Sequence, residues 1–141
     1  MTKELDDKLV EKYPKIFIDR HGDMRQTCMC WGFDCSDGWY FLIDHLCKSI
    51  QGYIDSNSHL NISQVVATQV KEKFGSLRFY YNGGNDLIQG MVWFAEHLSH
   101  YICEECGKEG EVVNKSAWLM CRCPEHSPLE SIKDEDIEVE E

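Results

Sequence analysis

The sequence predicts an α+β domain: a small antiparallel sheet packed by two main helices, with a C-terminal zinc-ribbon-like knuckle. Three observations carry this reading. Apolar residues recur at three- and four-residue spacing over 36–54 and again over 86–101. Between these segments, β-branched residues and a period-two alternation mark two strands. Near the end, CEECG and CPEH set metal-ligating side chains in pairs. At 141 residues, 43% hydrophobic and 11% aromatic, the chain has apolar surface for one ordinary core.

Along the chain, Leu5, Leu9 and Tyr13 with charges between them predict a short amphipathic helix that Pro14 ends. Residues 16–25 contain Gly22 and alternate poorly, whereas 27–33 (TCMCWGF) reads as a short strand interrupted at Gly32. Ser36 and Asp37 offer N-cap side chains to the next helix. Its stripe of Trp39, Leu42, Ile43, Leu46, Cys47 and Ile50 lays an aromatic-aliphatic face on a sheet. Residues 55–61 (DSNSHLN) are turn-rich, and 62–73 carry Val65, Val66, Thr68 and Val70, as a strand does. After Phe74 and Gly75, Leu77, Phe79 and Tyr81 alternate with Arg78 and Tyr80, so the sheet includes an antiparallel hairpin over 65–81. The NGGN of 82–85 is the strongest turn signal, and Asp86 can cap a helix to about Tyr101. That helix places Leu87, Met91, Phe94, Ala95, Leu98 and Tyr101 on one side. From Pro128 onward come seven acidic residues and one Lys without an aromatic, which predicts a disordered acidic tail. The organisation is thus an α+β core at 1–102, a knuckle packed on it at 103–127 and a tail at 128–141.

Charge and cysteine content narrow the function. Fourteen Lys+Arg against 25 Asp+Glu give a net charge of −11, and nucleic acid needs cations to displace its counterions, so nonspecific binding to it is disfavoured. No apolar run approaches the ~20 residues of a membrane span. The first residues, MTKELDDKLVEKY, are charged where a signal peptide is apolar, so the expectation is a soluble cytoplasmic protein with no membrane partner. Eight cysteines are about 6% of the chain, below a disulfide-stapled scaffold, which makes metal ligation the first question.

Cys103 and Cys106 form a C-x2-C-G turn whose thiolates converge on one ion, with Gly107 relieving the backbone beneath it. Sixteen residues later Cys123 and His126 supply C-x2-H, which completes the spacing of a structural Cys3His Zn2+ site, one per chain. Cys121 competes for the fourth position. His126 is preferred because C-x2-H repeats the geometry of the first knuckle, whereas C-x-C bites poorly on one tetrahedral ion. Four protein ligands close the sphere, so this zinc folds the last third of the chain and does not activate water; it is no evidence for an enzyme. The intervening EVVNKSAWL makes a short hairpin, with Trp118 packing over the metal or onto the core.

The first cysteine set, Cys28, Cys30, Cys35 and Cys47, matches no common knuckle, and small buried hydrophobes explain it better than a second four-thiolate site. A nucleophilic reading is weak. His45 projects about 160° from Cys47 on a helix, and Asp34 and Asp37 oppose thiolate formation at Cys35. Asp34, Asp37 and Asp44 are read as a helix cap and solvated residues in preference to paired acid-base or Mg2+-binding carboxylates. The segment from Lys71 to Tyr81 concentrates cations and aromatics. Lys71, Lys73, Arg78, Phe79 and Tyr81 are the candidate ligand or partner surface, and a nucleic-acid or nucleotide module using them is the alternative function.

Three motifs in order, CSDGWYFLIDHLC at 35–47, VKEKFGSLRFYY at 70–81 and CEECG at 103–107 with W-x4-C-x2-[CH] after it, resemble a family of small proteins encoded mainly by bacteriophages and prophages. The resemblance covers about 28–126. Members close the knuckle with two cysteines, so His126 is a departure. The resemblance implies a phage context, the cytoplasm of an infected bacterium, and no activity. In that context a small acidic protein is expected to bind a host or phage protein, and an inhibitor of a host nuclease or other host defence, anti-CRISPR-like or of another counter-defence kind, is the leading expectation.

Overall fold

A computed structural model describes residues 1–128; most of the expected acidic tail, 129–141, lies outside the described residues. Helix α1 (Lys3–Lys12) buries Leu9 and carries Glu4 and Asp6 in its first turn and Lys12 in its last, the arrangement its dipole favours. Asp6 is buried and grips Arg20 with both oxygens, Oδ1 to Nε and Oδ2 to Nη2 at 2.9 Å each, while Arg20 Nη1 donates to the carbonyl of Cys30 at 3.0 Å. This clamp holds the irregular segment 13–32 against α1.

Residues 27–33 are not the expected strand. Thr27 accepts the Met29 amide with its side chain, which winds Cys28–Trp31 into a 3-10 turn, and only Phe33–Asp34 remain extended as β1. A second 3-10 turn, Asp37–Trp39, leads into α2 (Tyr40–Ser56). The expected stripe is buried in full: Trp39, Leu42, Ile43, Leu46, Cys47 and Ile50 all lie in the core. The caps differ, because Ser36 makes no side-chain cap and Asp37 Oδ1 instead accepts the Thr2 amide at 2.7 Å. Asp44 is no merely solvated residue either. It accepts hydrogen bonds from Tyr13 Oη and Lys12 Nζ, both at 2.6 Å, and so fastens α1 to α2.

Strands β2 (Ser63–Lys73) and β3 (Ser76–Gly84) form the expected antiparallel hairpin, with Val70 opposite Phe79 and Lys71 opposite Arg78. The sheet is mixed, because β1 joins β2 in parallel, Phe33 beside Val70, in the order β1-β2-β3. Val65, Ala67, Val70, Leu77 and Phe79 enter one core with α2 and with α3 (Asp86–Leu98). Asn85, one residue before the expected cap, holds the α3 N-terminus by accepting the Ile88 amide at 3.2 Å. The expected face of α3 is met in part: Ala95 is buried and Met91 and Leu98 pack half-buried against the core, but Ile88 and Val92 complete the buried face, while Leu87, Phe94 and Tyr101 are more than half exposed. Finally β4 (Glu111–Lys115) and β5 (Trp118–Arg122) pair as a second, separate hairpin.

Candidate metal centre

The C-terminal hairpin closes the space between two knuckles. Gly107, at φ +79, lets the chain reverse after Cys106, and its amide donates to the Cys103 carbonyl at 2.9 Å. The second knuckle closes with a tighter turn, the His126 amide donating to the Cys123 carbonyl at 3.1 Å. Pairing of β4 with β5 brings the two knuckles face to face. As a result Cys103 Sγ lies 3.8 Å from His126 Nδ1, Cys123 Sγ 3.2 Å from the same nitrogen, and Cys106 Sγ 3.6 Å from Cys123 Sγ. All four ligand atoms fall within 4.8 Å of one another, so Cys103, Cys106, Cys123 and His126 can hold a metal ion. Among the described residues this is the one such group of His, Cys, Asp and Glu.

Cys121 is placed elsewhere. It is fully buried in the main core, and its Sγ donates to the His100 carbonyl at 3.2 Å. Burial holds its thiol up at about 11. The neighbouring Cys123 behaves oppositely and is lowered to about 6: desolvation opposes its ionisation, but hydrogen bonds from His126, Cys106 and Cys103 outweigh that.

The knuckle is anchored to the core through contacts that the spacing of cysteines does not reveal. Trp39 Nε1 donates to the Ile102 carbonyl at 2.9 Å, and the Gly38 amide donates to the Glu104 carbonyl at 2.7 Å. Glu104, 6% exposed, accepts the Ser36 amide at 2.9 Å with Oε2 and faces Arg122 Nη1 at 3.3 Å with Oε1. Arg122 also reaches Glu105, at 3.3 Å. The first Glu of CEEC and the DGW before α2 are thus a matched pair. No local sequence signal marks this pairing, because its members lie far apart in the chain.

The other predicted residues are dispersed. Cys28 is exposed, Cys30 donates to the Thr27 carbonyl, and Cys35 and Cys47 are buried, with burial pushing the Cys35 thiol up to about 12 and the Cys47 thiol well above its ordinary value. His45 lies against Phe41, ring centres 4.1 Å apart. Lys71 and Arg78 sit directly opposite on β2 and β3, and Lys73 lies over the exposed ring of Phe74 at 5.6 Å. Phe79 does not join them. It is 3% exposed in the core, with its amide donating to Glu96 Oε2 at 3.2 Å, and Tyr81 packs beside it with ring centres 6.0 Å apart. Of the candidate surface Phe79 is therefore lost to the core, while Phe74 and Tyr80, both exposed, are the rings this hairpin presents beside Lys73 and Arg78. Among the described residues no helix is long and apolar enough to cross a membrane.

Fold and site together define an α+β protein with a Cys3His knuckle able to hold a metal ion. No protein-family model, curated protein or solved structure matches the chain.

Proposed function

We propose that the chain is a zinc-stabilised, non-enzymatic binding protein of the phage type, whose partner is a host or phage protein and whose role is to counter a host defence system. Zinc is the metal that the donor set favours: three thiolates at about 2.3 Å and one imidazole at about 2.0 Å around a tetrahedral ion lie roughly 3.5–3.8 Å apart. Three of the six ligand-atom pairs, at 3.2, 3.6 and 3.8 Å, lie near those separations, and all six fall within 4.8 Å. With all four positions taken by protein, the ion holds structure and leaves no place for a substrate.

The observation that carries the binding role is the placement of tryptophan. Of the four, Trp39 alone is buried; Trp31, Trp93 and Trp118 are 70%, 68% and 67% exposed. Tryptophan concentrates at the energetic centres of protein interfaces, so these exposed side chains are the anchors a partner would use. The net charge of −11 adds long-range attraction to a basic surface of that partner.

The test is expression of the protein in bacteria that carry a defence system, with phage plating as the readout. Plating is expected to rise, and to fall back with the double variant Trp31→Ala and Trp118→Ala at equal protein level. Unchanged plating across a panel of defence systems, or full activity in the double variant, would overturn the proposal. Retention on heparin at low salt would favour nucleic-acid binding in its place.

A further inference from the structure

The outward side of α3 has a composition that a solvated helix rarely has. Its buried face is supplied by Ile88, Val92 and Ala95, yet Leu87, Trp93 and Phe94 stand 53%, 68% and 59% exposed, and Tyr101 in the turn beyond is 54% exposed. A cluster of large exposed apolar side chains of this size marks an interaction site. The side of α3 that faces α2 opens into a cleft of about 220 Å³, lined with Met91, Phe94 and Leu98 from α3 and with Leu42, His45 and Leu46 from α2. Phe41, 70% exposed and tilted against the His45 ring, extends the cleft along α2. The opposite edge is extended by a row in which Trp93 stacks on His97 at 5.9 Å and His97 meets Tyr101 at 5.6 Å.

We infer that this face is covered by a second copy of the chain, α3 against α3 about a two-fold axis near Gly90. Area is the first argument. At roughly 200 Å² per aromatic side chain, the exposed fractions of Phe41, Trp93, Phe94 and Tyr101 leave about 500 Å² of aromatic surface. Leu87, Met91 and the cleft walls bring the patch toward the ~800 Å² per partner of a standard interface, above what a monomer ordinarily shows. Charge is the second argument. The exposed acidic residue of this face is Asp86, one turn before Gly90; an antiparallel crossing centred at Gly90 sets it level with Phe94 of the other copy, so the two Asp86 side chains stand about 12 Å apart along the axis. Shape is the third. Gly90 lies in mid-helix between these side chains, and a Cβ built on it would touch nothing within 4 Å. A glycine there forgoes helix stability relative to alanine and permits a second backbone to approach closely. In an antiparallel crossing centred at Gly90, Trp93 of one copy lies level with Leu87 of the other, an isologous contact that closes on itself. Trp31 and Trp118, on other elements, stay free for a heterologous partner.

Size-exclusion chromatography with light scattering on the full chain, from low to high micromolar concentration, tests this. The expected mass is twice 16.4 kDa. Trp93→Glu and, separately, Phe94→Glu should each return it to one chain, with metal content unchanged and with the melting temperature that the wild type shows when diluted to monomer. Trp31→Glu should leave the dimer intact. A wild-type protein that stays monomeric, an assembly larger than two, or a dimer equally sensitive to Trp31→Glu would overturn the inference.

Discussion

The amide of Gly38 donates to the carbonyl of Glu104 at 2.7 Å, and a Cβ at position 38 would lie 2.4 Å from that same oxygen and 2.3 Å from the carbonyl of Cys103. The turn that starts α2 and the turn that starts the metal knuckle are thus in backbone contact at a point where only hydrogen fits. Glu104 reinforces the contact through the Ser36 amide, and Trp39 does so through the Ile102 carbonyl. Core and knuckle stand or fall together.

Gly38→Ala should therefore lower stability by about 3 kcal/mol, since the clashing atoms are backbone and cannot swing aside. Chemical denaturation followed by tryptophan fluorescence measures the loss. Gly52→Ala is the control: its Cβ meets nothing within 4 Å in a helix interior, so stability should hold or rise by up to about 1 kcal/mol.

Metal content separates the two candidates for the fourth ligand. Cys121→Ala should cost about 1 kcal/mol in packing and leave metal stoichiometry intact, because the Cys121 thiol points to His100 and away from the other ligands. His126→Ala should lower metal affinity at least tenfold. Competition with a coloured chelator reads both; the reverse pattern would reassign the ligand.

Glu96 gives a pH signature. Burial raises its carboxyl above the ordinary value of 4.5, against the lowering effects of the Phe79 amide and Arg78. A carboxyl raised on folding contributes stability that is fully present below the unfolded pKa and is lost as pH rises through the folded one. Glu96→Gln keeps an oxygen for the Phe79 amide and removes the charge. The variant should melt higher than wild type at pH 7, and the difference should vanish below about pH 4.5. An equal difference at both pH values would contradict this.

How much of this was legible in the sequence depends on how local the cause is. The α2 stripe was readable because its polar residues fall on one side only, so periodicity names the face. On α3 apolar residues fall on more than one side, so periodicity picked Leu87, Met91, Phe94, Ala95, Leu98 and Tyr101, of which Ala95 is buried and Met91 and Leu98 half-buried, whereas the sheet also took Ile88 and Val92. The ligand quartet was readable because each knuckle is a four-residue turn. Its anchoring was not: Glu104 and Gly38 are far apart in the chain, and no local pattern pairs them. Strand β1 is two residues long, and its parallel pairing to β2 leaves no period to detect.

Native mass spectrometry of freshly purified protein, before and after a strong chelator and with circular dichroism on the same samples, tests the central claim most directly. One zinc ion per chain, lost only together with the folded signal and absent from Cys103→Ser, is the result predicted. A protein that folds without metal, carries two ions per chain, or gives up its ion while the fold stays intact would contradict a structural zinc knuckle built into the core.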